Sequence, residues 1–142
     1  MKTIIIIPAR WESTRLPGKP LAMIGDKPMI QHTWERARES NADEVIIACD
    51  SKIVYDAATK FGAQVIWTHD AETGTERVIE VQEIKNADFI INVQGDEPFI
   101  NPKDINEVIK IVHSHPDKVA TLRADLDRNE SKDPNVVKAI CN

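Results

Sequence analysis

The sequence IIIIPARWESTRLPGKPL occupies residues 4–21, and its opening run of four isoleucines is the strongest structural signal in the chain. No polar residue interrupts residues 4–7, whereas a strand with one exposed face alternates apolar and polar residues. Strands of a parallel sheet are covered by helices on both faces and are therefore apolar throughout. We predict that residues 4–7 form a central strand of such a sheet, ending near Pro8.

Three cationic side chains follow this predicted strand closely. Arg10, Arg15 and Lys19 lie in one loop, which is stiffened by prolines. The carboxyl end of a central parallel strand is where α/β sheets bind ligands. Arginine makes bidentate contacts with phosphate groups, and lysine supplies a mobile positive charge. The loop therefore predicts an anion-binding site, with a phosphate ester as the expected ligand.

The composition is that of a single domain spanning residues 1–142, since 42% hydrophobic residues suffice for a core. The net charge of −5 argues against a general binder of nucleic acid or membrane surfaces. Cys49 and Cys141 show no zinc-site spacing and are predicted to be free thiols in a reducing compartment. The first residues lead into a strand too short for a signal peptide or a membrane span, so we expect a cytoplasmic protein.

Strand and helix signals alternate along the rest of the chain. Strands are predicted at residues 44–49, 64–68 and 88–93, with weaker candidates at 119–123 and 136–140. Helices are predicted at residues 28–38, 52–60, 75–85 and 102–114, and the polar residues 125–134 are predicted to form a loop. Repeated βα units with right-handed crossovers give a doubly wound, mostly parallel sheet with helices on both faces.

The loops that follow three of these strands should meet at one edge of the sheet. They are the basic loop, the turn at Asp50 and the QGDEP segment at residues 94–98. Parallel strands present their carboxyl ends at the same edge, so the loops should converge. A carboxylate beside phosphates repels them unless a cation lies between, so we predict that Asp96 binds magnesium, with Glu97 as a second candidate. Asp50 or Ser51 is instead predicted to cap the following helix.

Five motifs in this order resemble the 3-deoxy-manno-octulosonate cytidylyltransferase family. They are IPARxxSTRLPGKPL at residues 7–21, KPMIQH at 27–32, GTER at 74–77, NVQGDEP at 92–98 and DPNVVK at 133–138. The resemblance implies a Rossmann-like nucleotidyltransferase fold. It also implies transfer of CMP from CTP to the 2-hydroxyl of 3-deoxy-manno-octulosonate (KDO), with release of pyrophosphate, for bacterial lipopolysaccharide. A homodimer is implied as well.

The resemblance also implies roles for individual residues. It assigns the CTP phosphates to Arg10, Arg15 and Lys19, with Arg15 and Lys19 as the catalytic residues. Pro8 and Ala9 would offer backbone groups to the nucleotide. Phosphoryl-type transfer depends on positioning and charge neutralisation rather than on a covalent nucleophile. Cationic side chains and a metal ion are therefore sufficient for catalysis.

The remaining assignments concern the nucleoside and the metal. The resemblance implies four residues around the cytosine and ribose: Thr73, Gly74, Thr75 and Arg77. Gln94 would lie near the ribose and the incoming sugar, and Asp96 would bind Mg²⁺. Family members usually carry Ser where this chain has Thr73, which keeps the hydroxyl. Trp11 could cover the nucleotide or pack the basic loop down, and the sequence leaves both open.

Other functions remain as alternatives. The motifs GxxxxGK[ST] and GxGxxG are missing, which argues against a P-loop NTPase and a dinucleotide oxidoreductase. Synthetases of CMP-sialic acid share the RxxSxR loop, although QGDEP favours the octulosonate enzyme. Family members continue well beyond residue 142, with part of the sugar site, a second metal-binding aspartate and most of the dimer contact. We therefore expect that this chain lacks that portion, which leaves a non-catalytic CTP-binding fragment or subunit as a further alternative.

Overall fold

A computed structural model describes residues 1–11, 16–69 and 73–122. In chain order the strands are β1 (Thr3–Ala9), β2 (Met23–Ile24), β3 (Lys27–Pro28), β4 (Glu44–Cys49), β5 (Gln64–Trp67) and β6 (Phe89–Asn92). The helices are α1 (Met29–Arg38), α2 (Lys52–Lys60), α3 (Gly74–Ile84) and α4 (Pro102–Ser114), with a 3₁₀ turn at Lys19–Leu21. None of the helices in these ranges is long and apolar enough to cross a membrane.

The four long strands form one parallel sheet in the order β5-β4-β1-β6. The chain moves outward from β1 to β4 and β5, then crosses back past β1 to add β6. This is the predicted doubly wound sheet, with β1 paired on both sides. Because the four strands are parallel, β1, β4, β5 and β6 all end at the same edge of the sheet.

Helices cover both faces of the sheet, as the isoleucine run predicts. Successive side chains of a strand point to opposite faces. Ile5 and Ile7 pack in one core with residues of α1, α2 and α4, whereas Ile4 and Ile6 pack in a second core with Val78 and Val81 of α3. All four isoleucines are 0% exposed, so the prediction of a strand buried on both faces is confirmed.

The predicted and observed elements differ at several boundaries. Helices α2 and α4 have the predicted bounds, whereas α1 begins after Pro28 and α3 begins and ends one residue early. The hairpin of β2 and β3 is missing from the prediction, although the Gly25-Asp26 dipeptide between its strands is a hairpin signal. Gly25 adopts the positive φ of 66° that such a two-residue turn requires.

The strand predicted at residues 119–123 is wrong over its described part. Residues 119–122 have no strand structure, and Val119 is 98% exposed. A β-branched residue favours a strand only where a neighbouring strand and a packed face accept it. None of the described strands pairs with this segment. The candidate strand at 136–140 and the predicted loop at 125–134 lie outside the described residues.

Candidate functional site

A cleft of about 220 Å³ opens at the carboxyl edge of the sheet. Five structural pieces form its wall: the end of β1, the 3₁₀ turn, the first residue of α1, the first residue of α3 and the loop after β6. The residues that line it are Pro8, Ala9, Arg10, Lys19, Pro20, Met29, Gly74, Gln94, Gly95 and Asp96. The basic loop and the QGDEP segment therefore converge, as the parallel topology predicts, whereas the third predicted member, Asp50, does not line the cleft.

Lys19 and Asp96 form an ion pair in this cleft. The ammonium nitrogen Nζ of Lys19 lies 2.9 Å from Oδ2 of Asp96. The two side chains remain 42% and 49% exposed, so both are open to solvent and to a ligand. Exposed ion pairs of this kind contribute little to stability. Either group can therefore exchange its partner for a ligand at small cost.

The packing of Trp11 on Gly18 holds Lys19 at the cleft. The Gly18 amide donates a hydrogen bond of 2.8 Å to the Trp11 carbonyl, and Gly18 has a positive φ of 74°. A Cβ at Gly18 would lie 2.9 Å from the Trp11 indole, so the ring packs directly on the glycine. Trp11 also contacts the larger core and does not line the cleft. Of the two roles left open for Trp11, the structure supports packing of the basic loop.

Gly95 holds Asp96 at the opposite wall. A Cβ at Gly95 would lie 2.8 Å from the Pro8 carbonyl oxygen, a contact that would force the backbone to move. On its other side, the buried hydroxyl of Thr33 donates a hydrogen bond of 2.9 Å to the Gly95 carbonyl. The Val93 amide continues the β6 pairing by donating to the Ile6 carbonyl at 3.1 Å. These contacts fix the loop after β6 against the end of β1.

Two helices begin at the cleft. Met29 is the first residue of α1 and Gly74 is the first residue of α3, and both line it. A helix N-terminus carries a partial positive charge, which favours an anion, and this holds for α1 even though the Met29 amide itself donates to the Ala22 carbonyl at 2.8 Å. With Arg10 and Lys19 in the same cleft, the electrostatics suit a phosphate group.

The structure places Arg77 behind the cleft wall instead of in it. The Arg77 side chain is 0% exposed, and its Nη2 donates to Oδ2 of Asp50. Its Nη1 donates to the Thr68 hydroxyl at 2.6 Å. Asp50 was one of two predicted caps of α2, and that assignment is wrong because its carboxylate binds the guanidinium. Ser51 holds the N-cap position, without a hydrogen bond from its side chain.

Three predicted site residues remain: Thr73, Thr75 and Arg15. Thr73 lies at the N-cap of α3, where its hydroxyl accepts a hydrogen bond of 3.2 Å from the Glu76 amide. Thr75 is exposed on the first turn of α3, beside the cleft-lining Gly74. Arg15 lies outside the described residues.

Three residues that line the cleft were not predicted to do so: Pro20, Met29 and Gly95. Each of them lies within a sequence motif that carries the resemblance.

The donor set of the cleft fits a metal ion that is shared with a phosphate ligand. Asp96 is the one carboxylate among the described lining residues, and Glu97 is exposed outside the cleft. Within residues 1–11, 16–69 and 73–122, no three His, Cys, Asp or Glu side chains are grouped as a metal cage. Mg²⁺ commonly binds through one or two carboxylates together with phosphates and water. The single carboxylate beside a cationic anion site agrees with that mode.

Cys49, His32 and His113 take no part in the cleft. Cys49 is a buried free thiol, and its burial raises the pKa to about 11. His32 contacts the Ile24 carbonyl at 2.7 Å, and His113 contacts the Thr3 hydroxyl at 2.7 Å. The free thiol predicted for Cys49 is confirmed, and neither histidine lines the cleft. Cys141 lies outside the described residues.

The parallel sheet and the helices on both of its faces define the α/β fold of nucleotidyltransferases. A solved CMP:2-keto-3-deoxy-manno-octonic acid synthetase complexed with CTP is 46% identical to this chain, with a TM-score of 0.80. The similarity covers 82% of this chain and 49% of that one. The chain belongs to the cytidylyltransferase family, whose model matches residues 4–142. The predicted fold class and family are thus confirmed.

Two curated relatives are similar to this chain over nearly its whole length. The chain is 48% identical to 3-deoxy-manno-octulosonate cytidylyltransferase 2 of Actinobacillus pleuropneumoniae, over 99% of this chain and 58% of that protein. It is 44% identical to the 3-deoxy-manno-octulosonate cytidylyltransferase of Escherichia coli, again over 99% and 58%. The chain therefore spans little more than half the length of these relatives.

Proposed function

We propose that this chain is the nucleotide-binding part of a 3-deoxy-manno-octulosonate cytidylyltransferase. CTP binds in the cleft, the 2-hydroxyl of KDO attacks the α-phosphorus, and pyrophosphate leaves as the bond to the β-phosphate breaks. One observation carries the proposal: Lys19 and Asp96 meet 2.9 Å apart in a cleft that Arg10 and two helix N-termini also line. Identity of 44–48% to curated enzymes of this name supports the substrates.

The cationic wall binds the triphosphate. Arg10 and Lys19 line the cleft, and Arg15 belongs to the same loop. Charge develops on the β- and γ-phosphates as pyrophosphate leaves, and fixed cations stabilise that charge. Lys19 and Arg15 therefore act as the catalytic residues, because they neutralise the leaving group. No covalent nucleophile is needed on this route.

Asp96 would hold Mg²⁺ when CTP is bound. The ion would neutralise phosphate charge that the carboxylate alone would repel. Lys19 leaves the Asp96 carboxylate for the phosphates, which frees that carboxylate for the metal.

The part of the cleft lined by Pro8, Ala9, Gly74 and Gln94 binds the nucleoside. Pro8 and Ala9 lie at the end of β1 and line the cleft, and Gly74 leaves space beside them. A Cβ at Gly74 would lie 3.7 Å from Oε1 of Gln94, so the two residues bound the same part of the cleft. Gln94 contacts the ribose and the incoming sugar. Thr73 and Thr75 flank Gly74 beside the cytosine.

The wider setting follows from the same family. The enzyme works in the cytoplasm as a homodimer and supplies activated KDO for lipopolysaccharide, without a nucleic-acid or membrane partner. Residues 1–142 form one nucleotide-binding domain. A second candidate function is CTP binding without transfer, because the cations and helix N-termini of the cleft account for phosphate binding alone.

Titration calorimetry and a product assay test these proposals in turn. CTP is titrated into the chain with and without Mg²⁺, with UTP and ATP as controls. Pyrophosphate release is then measured with KDO and, separately, with a sialic acid. Magnesium-dependent CTP binding with release on KDO supports the enzyme, whereas binding without release supports the second candidate. Release on sialic acid alone would reassign the substrate, and absence of CTP binding would overturn the proposal.

A further inference from the structure

We propose that Arg77 is a positioning residue that fixes the first turn of α3 against the cleft, and that it is not a nucleotide ligand. The inference rests on the proposed CTP site and assigns a different role to the arginine of the GTER motif. Asp50 and Thr68 are its two side-chain partners in this role. Neither of them lines the cleft.

The contacts of Arg77 reach two strand ends at once. Asp50 directly follows β4, and Thr68 directly follows β5. Nη2 of Arg77 donates to the Asp50 carboxylate, and Nη1 donates to the Thr68 hydroxyl and, at 3.3 Å, to the His69 carbonyl. The Thr68 hydroxyl in turn donates to the Cys49 carbonyl at 3.2 Å. The guanidinium thus ties α3 to the carboxyl edge of the sheet.

The tie acts on the turn that forms the cleft wall. Arg77 and Gly74 are three residues apart, so they lie on the same turn of α3. Gly74 packs on Pro8, since a Cβ there would lie 3.3 Å from the Pro8 ring. The capping box of Thr73 and Glu76 shapes this turn internally. The Arg77 contacts therefore determine how closely the turn approaches the end of β1.

The burial of Arg77 opposes a direct role in binding. Its side chain is 0% exposed, and a buried guanidinium is tolerated only when it is paired. A turn toward the nucleotide would break the pair and leave the Asp50 carboxylate, which is only 22% exposed, without its cation. The Nε atom has no hydrogen-bond partner among the described residues, so the two Nη atoms carry the attachment. Lysine has one nitrogen and cannot reproduce this fork.

The same helix and strand provide a matched control. At their other ends, Nζ of Lys85 lies 3.1 Å from Oε2 of Glu44, which ties the end of α3 to the start of β4. Asp50→Asn and Glu44→Gln are the same chemical change, from carboxylate to amide, at opposite edges of the sheet. Only the first is expected to affect the cleft.

The experiment measures CTP affinity by calorimetry in the presence of Mg²⁺, with thermal melting to verify folding. We expect Asp50→Asn and Arg77→Lys each to weaken CTP binding about tenfold or more, the size of a lost charged hydrogen bond. Glu44→Gln should remain within about twofold of the unchanged chain. The Asp50→Asn/Arg77→Lys double variant should lose about as much as the more affected single variant, because each single variant already breaks the Asp50–Arg77 ion pair.

Three results would overturn the inference. Equal CTP affinities of Asp50→Asn and Glu44→Gln would show that the tie does not reach the cleft. Additive losses in the double variant, or a loss with Arg77→Lys alone, would identify Arg77 as a direct ligand. Should Asp50→Asn not fold, Thr68→Val carries the test with the same thresholds. Failure of the unchanged chain to bind CTP would instead overturn the proposed function itself.

Discussion

Nζ of Lys19 and Oδ2 of Asp96 lie 2.9 Å apart across the cleft, although the two residues are far apart in sequence. Without a ligand, each neutralises the other. Under the proposed function, a phosphate would compete with Asp96 for the ammonium group, and a metal ion would compete with Lys19 for the carboxylate. Binding of a metal-bearing nucleotide would then exchange one ion pair for two new contacts.

Replacement of Lys19 by Ala should weaken CTP binding. Charge-assisted hydrogen bonds contribute roughly 1.5–3 kcal/mol, so we expect the Kd to rise about tenfold or more. The loss should be larger at low salt, where exposed charges are less screened. Calorimetry at two salt concentrations measures both effects. Lys60→Ala removes an exposed lysine at the far end of α2 and should bind CTP normally; an unchanged affinity in Lys19→Ala would exclude Lys19 from the phosphate site.

Asp96→Asn should abolish the magnesium dependence of CTP binding. The amide keeps the size of the side chain but lacks the negative charge that makes a carboxylate a strong ligand of Mg²⁺. Titrations of CTP with Mg²⁺ and with a chelator measure the dependence directly. Glu97→Gln is the control, since this neighbouring carboxylate is exposed outside the cleft. If the dependence survives in Asp96→Asn, another carboxylate holds the metal.

The sheet and its four helices could be predicted because their signals are local. The isoleucine run of β1 and the apolar spacing of α4 each depend on residues that are close in sequence. The contact between Arg77 and Asp50 could not be predicted in this way, because the two residues become neighbours only when β4 and α3 pack together. The convergence of Lys19 and Asp96 could be predicted from the parallel order of the strands. Their direct contact could not, because it depends on how the two loops fold at the edge of the sheet.

Short elements without a periodic pattern were also missed, although the turn between β2 and β3 carries a local signal in Gly25-Asp26. The two strands of the β2–β3 hairpin have two residues each, too few to show alternation. Residues 119–122 show the opposite error, because apolar and β-branched residues predicted a strand that has no neighbour in the described part of the chain. In residues 119–122, local propensity gives way to tertiary context.

Gly95→Ala should reduce both stability and CTP affinity. The added Cβ would lie 2.8 Å from the Pro8 carbonyl, and backbone atoms cannot turn aside as a side chain does. Overpacking of this kind costs roughly 1–3 kcal/mol. Chemical denaturation and calorimetry measure the two losses. Gly74→Ala is the milder comparison, because its nearest contact is the Pro8 ring at 3.3 Å; equal stability of Gly95→Ala and the unchanged chain would show that the loop has room to move.

Glu44→Gln should reduce stability at neutral pH and leave it unchanged in acid. Hydrogen bonds from Lys2, at 2.7 Å, and from Lys85 hold the pKa of the Glu44 carboxyl below its ordinary value of 4.5. A carboxyl whose pKa is lower in the folded chain stabilises it above the unfolded pKa, and that stabilisation disappears as the pH falls through the folded pKa.

The size of this effect follows from the partial exposure of the Glu44 ion pairs. We expect a loss of roughly 0.5–1 kcal/mol at pH 7, the range for partly exposed ion pairs. The difference should shrink steadily below pH 4.5 as the carboxyl takes up its proton, and urea denaturation at a series of pH values measures it. Glu107→Gln removes an exposed carboxylate of α4 and should match the unchanged chain at every pH. A loss in Glu44→Gln that persists in strong acid would mean that the packing of the side chain, and not its charge, holds the start of β4 to the end of α3.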